Sequence, residues 1–264
     1  MVALVLMAGC SDGGGASGDA RNREGAGSAE TVGVAQPALC AGDTIISETA
    51  ADTATPATTV EIQAYILTHP AAKPEGFRSQ TIVVDEGLGS FRISAPPEFS
   101  TFWRAGTPSD ELEELGFERD EVWMNHWKDR IDSGEINTRA ISVDLERTDQ
   151  VVAILITLTG AGSETGDSLA TDFAEGYADG GALMGESCGV RANGADGAYV
   201  EHTVPKDLLD SEVDRTQLQF LIPDSGNDAL WGVTCDVPRE LASEVKQLCA
   251  DIAGTFEPLP AIRS

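Results

Sequence analysis

Residues 151–158 read Val-Val-Ala-Ile-Leu-Ile-Thr-Leu. A nearly unbroken apolar run of this kind fits a central strand covered on both faces. Its neighbour, 139–147, alternates Ile141, Val143 and Leu145 with polar residues, the pattern of a half-buried strand. Leu169, Phe173 and Tyr177 form one stripe of a helix over 167–182, which Gly180 and Gly181 end. Strands over 198–204 and 217–222 follow. A turn at Pro223-Asp224-Ser225-Gly226 then leads into a returning strand over 229–237. The last element is a helix over 238–254, with Pro238 in its first turn. Earlier, 81–84 and 91–94 flank Asp-Glu-Gly-Leu-Gly, a hairpin signal, and Pro96 and Pro97 stop regular pairing. Residues 43–74 are rich in Thr and Ala, with one ordered piece expected around 60–68. The acidic stretch 110–130 predicts a helix with Leu112, Leu115, Val122 and Trp123 inward, broken at Ser133-Gly134. The order is hairpin, helix, two strands, helix, three strands, helix. It predicts an α+β fold, an antiparallel sheet covered by helices on both faces.

The N-terminus reads Met-Val-Ala-Leu-Val-Leu-Met-Ala-Gly-Cys. This resembles the lipobox of bacterial lipoproteins, in which the signal is cut before the cysteine and that cysteine is acylated. The resemblance implies lipidation of Cys10 and residence at the cell membrane, lipid-anchored on the extracytoplasmic face. The apolar run is far short of the about 20 residues that span a bilayer. It also lacks the basic n-region of a secretory signal, so 1–10 is expected to be the remnant of a longer signal. Residues 11–37 are mostly Gly, Ser, Ala and charged residues, too poor in apolar surface to order. They predict a polar tether spanning roughly 30 Å. Residues 38–80 are expected to be a poorly ordered extension, and 81–264 the folded domain.

The net charge is −27 with 41% hydrophobic residues. Such a surface repels nucleic acid, which is bound through clustered Lys and Arg. It also repels anionic headgroups, so the membrane contact expected is the lipid anchor alone. With Cys10 acylated, Cys40, Cys188, Cys235 and Cys249 remain, an even number that predicts two disulfides outside the cytoplasm. Four cysteines allow three pairings. Val233, Cys235 and Val237 share a strand face, and Leu241, Val245, Leu248, Cys249 and Ile252 share a helix stripe. Packing that stripe on that face favours Cys235–Cys249 with Cys40–Cys188, and the other pairings stay open.

Gly-Ser-Phe-Arg-Ile-Ser-Ala-Pro-Pro-Glu-Phe at 89–99 resembles the opening hairpin of PsbP-like domains. Leu-Trp-Gly-Val-Thr-Cys at 230–235, followed by a helix and Gly254-Thr255-Phe256, resembles their closing strand, helix and ending. Actinobacterial lipoproteins of the LpqN type carry such a domain behind a lipobox and a polar tether, and the resemblance covers about 81–256. It implies a PsbP-like α/β/α sandwich. It also implies a non-enzymatic accessory or binding role toward an envelope protein or small ligand, with no catalytic set and no cofactor.

Candidate chemistry is sparse. Gly166-Asp167-Ser168-Leu169 spells the nucleophile block of GDSL esterases, and a hydrolase would use Ser168 with His202 as base. None of His69, His126 and His202 has Asp three residues before it, and serine needs an oriented imidazole. Asp167 or Ser168 is therefore expected to be a helix N-cap. Trp123, His126 and Trp127 form the densest aromatic cluster. With Phe102 and Trp103 they could line a ligand pocket or a partner surface, although aromatic stripes are commonly core. No metal site is expected, for want of ligand spacing. The run of carboxylates from Asp110 to Glu121 and the segment Asp224-Ser-Gly-Asn-Asp228 read as a solvated face and a hairpin turn.

Overall fold

A computed structural model describes residues 39–40, 66–67, 74–83, 90–99, 102–104, 138–144, 146–147, 150–160, 162–192, 195–209 and 211–259. The strands in chain order are β1 (Ile66–Leu67), β2 (Arg78–Val83), β3 (Ser90–Ala95), β4 (Trp103–Arg104), β5 (Thr138–Val143), β6 (Ala153–Gly160), β7 (Leu183–Ala192), β8 (Ala195–Val204), β9 (Arg215–Asp224), β10 (Ala229–Pro238) and β11 (Glu257–Leu259). The helices are α1 (Gly166–Asp179), the short α2 (Lys206–Leu209) and α3 (Ala242–Gly254).

The main sheet runs β1-β7-β8-β9-β10-β6-β5-β4 and the small one β11-β3-β2. Every pairing is antiparallel except the two-residue contact of β1 with β7. Alternation decides which residues face which layer. Tyr199, Leu218, Phe220, Trp231, Val233 and Cys235 point to one side and join Val245, Cys249 and Ile252 of α3 in the larger core. Ala198, Val200, Leu221 and Leu230 point to the other and pack under Leu169, Phe173 and Tyr177 of α1. The fold is therefore α+β with a helix on each face of an antiparallel sheet. β10 lies between both layers and is buried at every position.

The two sheets meet at three rings. Phe91 of β3, Trp231 of β10 and Phe256 lie 5.3–5.6 Å apart, centroid to centroid. Thr255 ties the same corner: its hydroxyl accepts the Ser94 N–H at 2.8 Å and faces the carbonyls of Ile252 and Ser94 at 2.8 and 2.9 Å. The three segments that carry the PsbP-like resemblance thus converge on one cluster.

Some elements depart from expectation. β7 was not expected at all; with it, the four consecutive strands β7 to β10 form a continuous meander after α1. β2 begins at Arg78, ahead of the hairpin signal at 81–84. Pro238 ends β10 and precedes a 3-10 turn, Arg239–Leu241, so regular α-helix begins only at Ala242. The acidic stretch 110–130 lies outside the described residues. Among the described residues no helix is long and apolar enough to cross a membrane.

Candidate functional site

Ser168 and His202 are not brought together. Ser168 sits in the first turn of α1, where its hydroxyl donates to the Thr165 carbonyl at 3.1 Å. His202, on β8, stacks on Tyr177 with ring centroids 3.7 Å apart. Tyr177 lies nine positions beyond Ser168, about 13 Å along a helix. The hydrolase alternative therefore lacks its nucleophile–base contact. The expected cap is also corrected. The N-cap position is Thr165, with no side-chain cap bond. Asp167 instead reaches sideways, accepting the Gly189 N–H of β7 at 2.6 Å.

His202 belongs to a polar layer between α1 and the sheet. Its side chain is almost fully buried. Burial pushes it down to about 4, against the opposing pull of the Asp236 charge and the Gln217 side chain. The Tyr177 hydroxyl donates to Gln219 Oε1 at 2.8 Å, and Gln219 Nε2 donates to Thr234 at 3.2 Å. Burial raises Tyr177 to about 12, with the Gln219 bond acting against it. Deeper in the layer, Arg215 is ion-paired with Asp236, both fully buried. Arg215 Nη2 also donates to the carbonyls of Val151 and Asp236 at 2.8 and 2.9 Å, and Gln217 donates to Asp236 Oδ2 at 3.3 Å. Tyr177, Gln219 and Thr234 are linked to one another, as are Arg215, Gln217 and Asp236, across α1, β9 and β10. They hold the sheet in register.

A second charged cluster lies on the α3 side. Lys246 Nζ is 3.0 Å from Glu186 Oε2 and 2.7 Å from Glu201 Oε2. The Tyr199 hydroxyl donates to the same Glu201 oxygen at 3.0 Å, and burial followed by the Glu201 charge raises Tyr199 well above the ordinary phenol range. Glu186 shares this face with Cys188 by strand alternation and lies beside a β-bulge between Met184 and Ser187. It also accepts the Leu39 N–H at 3.2 Å. Sequence reasoning missed Lys246, although a signal was present. Ala242, Cys249, Ala250 and Ala253 stand four before and three, four and seven after it, so the lysine shares an apolar helix face.

Beside this cluster the Cys40–Cys188 disulfide fastens residues 39–40 to β7, with a Cα–Cα distance of 5.6 Å. Leu39 is buried in the larger core. Cys235–Cys249 joins β10 to α3. The closed pairs are those that strand and helix periodicity favoured.

Of the aromatic candidates, Phe102 is buried in the larger core and Trp103 belongs to β4, paired with Ile141. Trp123, His126, Trp127 and Cys10 lie outside the described residues. An open depression of about 580 Å³ is lined by Lys206, Glu212, Val213, Asp214, Arg239 and Glu240. Its charges answer one another, with Arg239 Nη1 3.7 Å from Asp214 Oδ2.

No protein-family model matches the chain, and no curated protein matches it. The solved structures to which it is similar include three proteins. One is the cyanobacterial PsbP (CyanoP) of Synechocystis sp. PCC 6803, at 13% identity and TM-score 0.40, over 69% of this chain and 92% of that one. Another is LpqN of Mycobacterium tuberculosis, involved in cell envelope biogenesis, at 11% identity and TM-score 0.39, over 70% and 92%. The third is the Ran-binding protein Mog1p of Saccharomyces cerevisiae, at 12% identity and TM-score 0.38, over 70% and 97%. Likenesses of this size assign the chain to no family and carry no activity, partner or location over to it.

Proposed function

We propose that this chain is a lipid-anchored extracytoplasmic accessory domain that binds an envelope protein or small ligand without chemical turnover. In this reading Cys10 carries the anchor, 11–37 is the tether and the α+β domain is the binding body. The observation that carries it is the cysteine arrangement. Four of the five cysteines close two disulfides, as suits an oxidising compartment, and the fifth is Cys10. The separation of Ser168 from His202 supports binding over catalysis. Trp123, His126 and Trp127 remain the proposed aromatic contact set.

The test is made in an exporting bacterial host. Cells fed an alkyne fatty acid should yield a labelled chain, and Cys10→Ser should abolish the label. A thiol reagent on the unfolded, unreduced protein should find no free cysteine. Crosslinking in intact cells should enrich a defined partner. An unlabelled chain with all five thiols reactive would overturn the reading.

A further inference from the structure

Among the described residues, no strand pairs with the outer side of the first half of β7. β1 pairs only with Arg191 and Ala192. Nearer the strand's start, the Gly189 N–H is already taken by the Asp167 carboxylate. Beyond it, Leu183, Met184, Gly185 and Ser187 are exposed. Leu183 is 53% exposed and Leu208 of α2 52%, and the Leu208 side chain reaches over Gly181, two residues before β7. Three of the four exposed large hydrophobics among the described residues therefore gather at this corner. Unpaired strand edges are templates for strand addition. The bulge between Met184 and Ser187 keeps this template short.

Charge selects the partner. Helix α1, which packs beside β7, carries Asp167, Asp172, Glu175 and Asp179 with no Lys or Arg. β7 itself adds Glu186 against Arg191. Two copies of this corner repel each other in a chain of net charge −27. We propose that the edge 183–187 docks an extended segment of a partner protein with alternating basic and apolar residues, added to β7 as a short strand. Backbone groups of β7 supply the ladder, Leu183, Met184 and Leu208 receive the apolar side chains, and the carboxylates of α1 receive the basic ones. This site deepens the binding reading above and rests on it.

The test uses the purified, disulfide-intact chain and a labelled Lys-Val-Lys-Val-Lys-Val peptide. The comparison peptides are one N-methylated at alternate backbone amides and one with Glu in place of Lys. We expect saturable binding of the first, at least about tenfold weaker binding of the N-methylated peptide and none of the acidic one. Amide exchange should slow at 183–187. The double variant Leu183→Lys with Met184→Lys changes only exposed side chains and should bind at least about tenfold more weakly with an unchanged circular dichroism spectrum. Equal binding of the N-methylated peptide would mean that charge alone attracts it, and would overturn the proposal. So would unprotected amides at 183–187, or no saturation by about 1 mM. Any of these leaves acylation of Cys10 and partner crosslinking to decide the broader reading separately.

Discussion

At the scale of single residues, burial sets the behaviour of His202. Its pKa falls from the ordinary 6.5 to about 4 because the imidazolium would be stripped of water beneath Tyr177. The unfolded chain takes up this proton at higher pH than the folded one. The contribution is therefore intact above pH 6.5, erodes as pH falls toward about 4, and is fully lost below that, a total of about 3 kcal/mol. Urea titrations of the wild type and of His202→Phe between pH 7 and pH 4 should differ in slope by nearly one proton. Parallel slopes would show that the imidazole is accessible to water. Arg215 and Asp236 offer a complementary case. Both are fully buried, so removing one takes away the other's buried ionic partner. Asp236→Leu alone should cost about 3–5 kcal/mol. Arg215→Met combined with Asp236→Leu should cost clearly less than either single change, since no unpaired charge remains. A double variant as unstable as the sum of the singles would contradict the pairing.

At the scale of elements, the disulfide between β10 and α3 closes a loop of sequence separation 14. In the chain-entropy account such a link restrains the unfolded state by about 3 kcal/mol, so Cys235→Ala with Cys249→Ala should lower the unfolding free energy by that order in denaturant titrations. A negligible change would show that α3 stays docked in the unfolded ensemble without its clasp. This pairing was readable because both elements have clean periods: Val233, Cys235 and Val237 alternate, and Val245, Cys249 and Ile252 repeat at helical spacing, and all six are buried. The stripe Leu169, Phe173, Tyr177 was readable for the same reason. β7 was not. Its sequence, LMGESCGVRA, breaks alternation with two glycines, and its bulge shifts the register between Met184 and Ser187. An edge strand with half its length in water has no continuous apolar period to detect. The polar layer was equally hidden, because Gln217, Gln219, Thr234 and Asp236 read as solvent-facing until α1 covers part of that face. Nor could local sequence show that Asp167 would turn from its own helix to the Gly189 amide.

At the scale of the molecule, the other disulfide has the larger consequence, because its sequence separation is 148. It draws Leu39 into a core whose other buried members begin at Ile82. The Leu39 N–H then completes the coordination of Glu186 by Lys246. Oxidation and folding are coupled here: in a reducing compartment the covalent link that fastens residues 39–40 to β7 would be absent. A link of this span restrains the unfolded chain by about 5 kcal/mol. For a domain of this size each kcal/mol moves the melting point by about 2–4 °C, so Cys40→Ala with Cys188→Ala should melt roughly 10–20 °C lower. The variant should also lose amide protection around Glu186, whose anchor on Leu39 depends on that clasp. The Cys235–Cys249 pair remains in this variant, so its melt isolates what the N-terminal segment contributes. A melting point within about 3 °C of the wild type, with Glu186 still protected, would mean that Leu39 docks on its own. The domain would then fold equally well before oxidation.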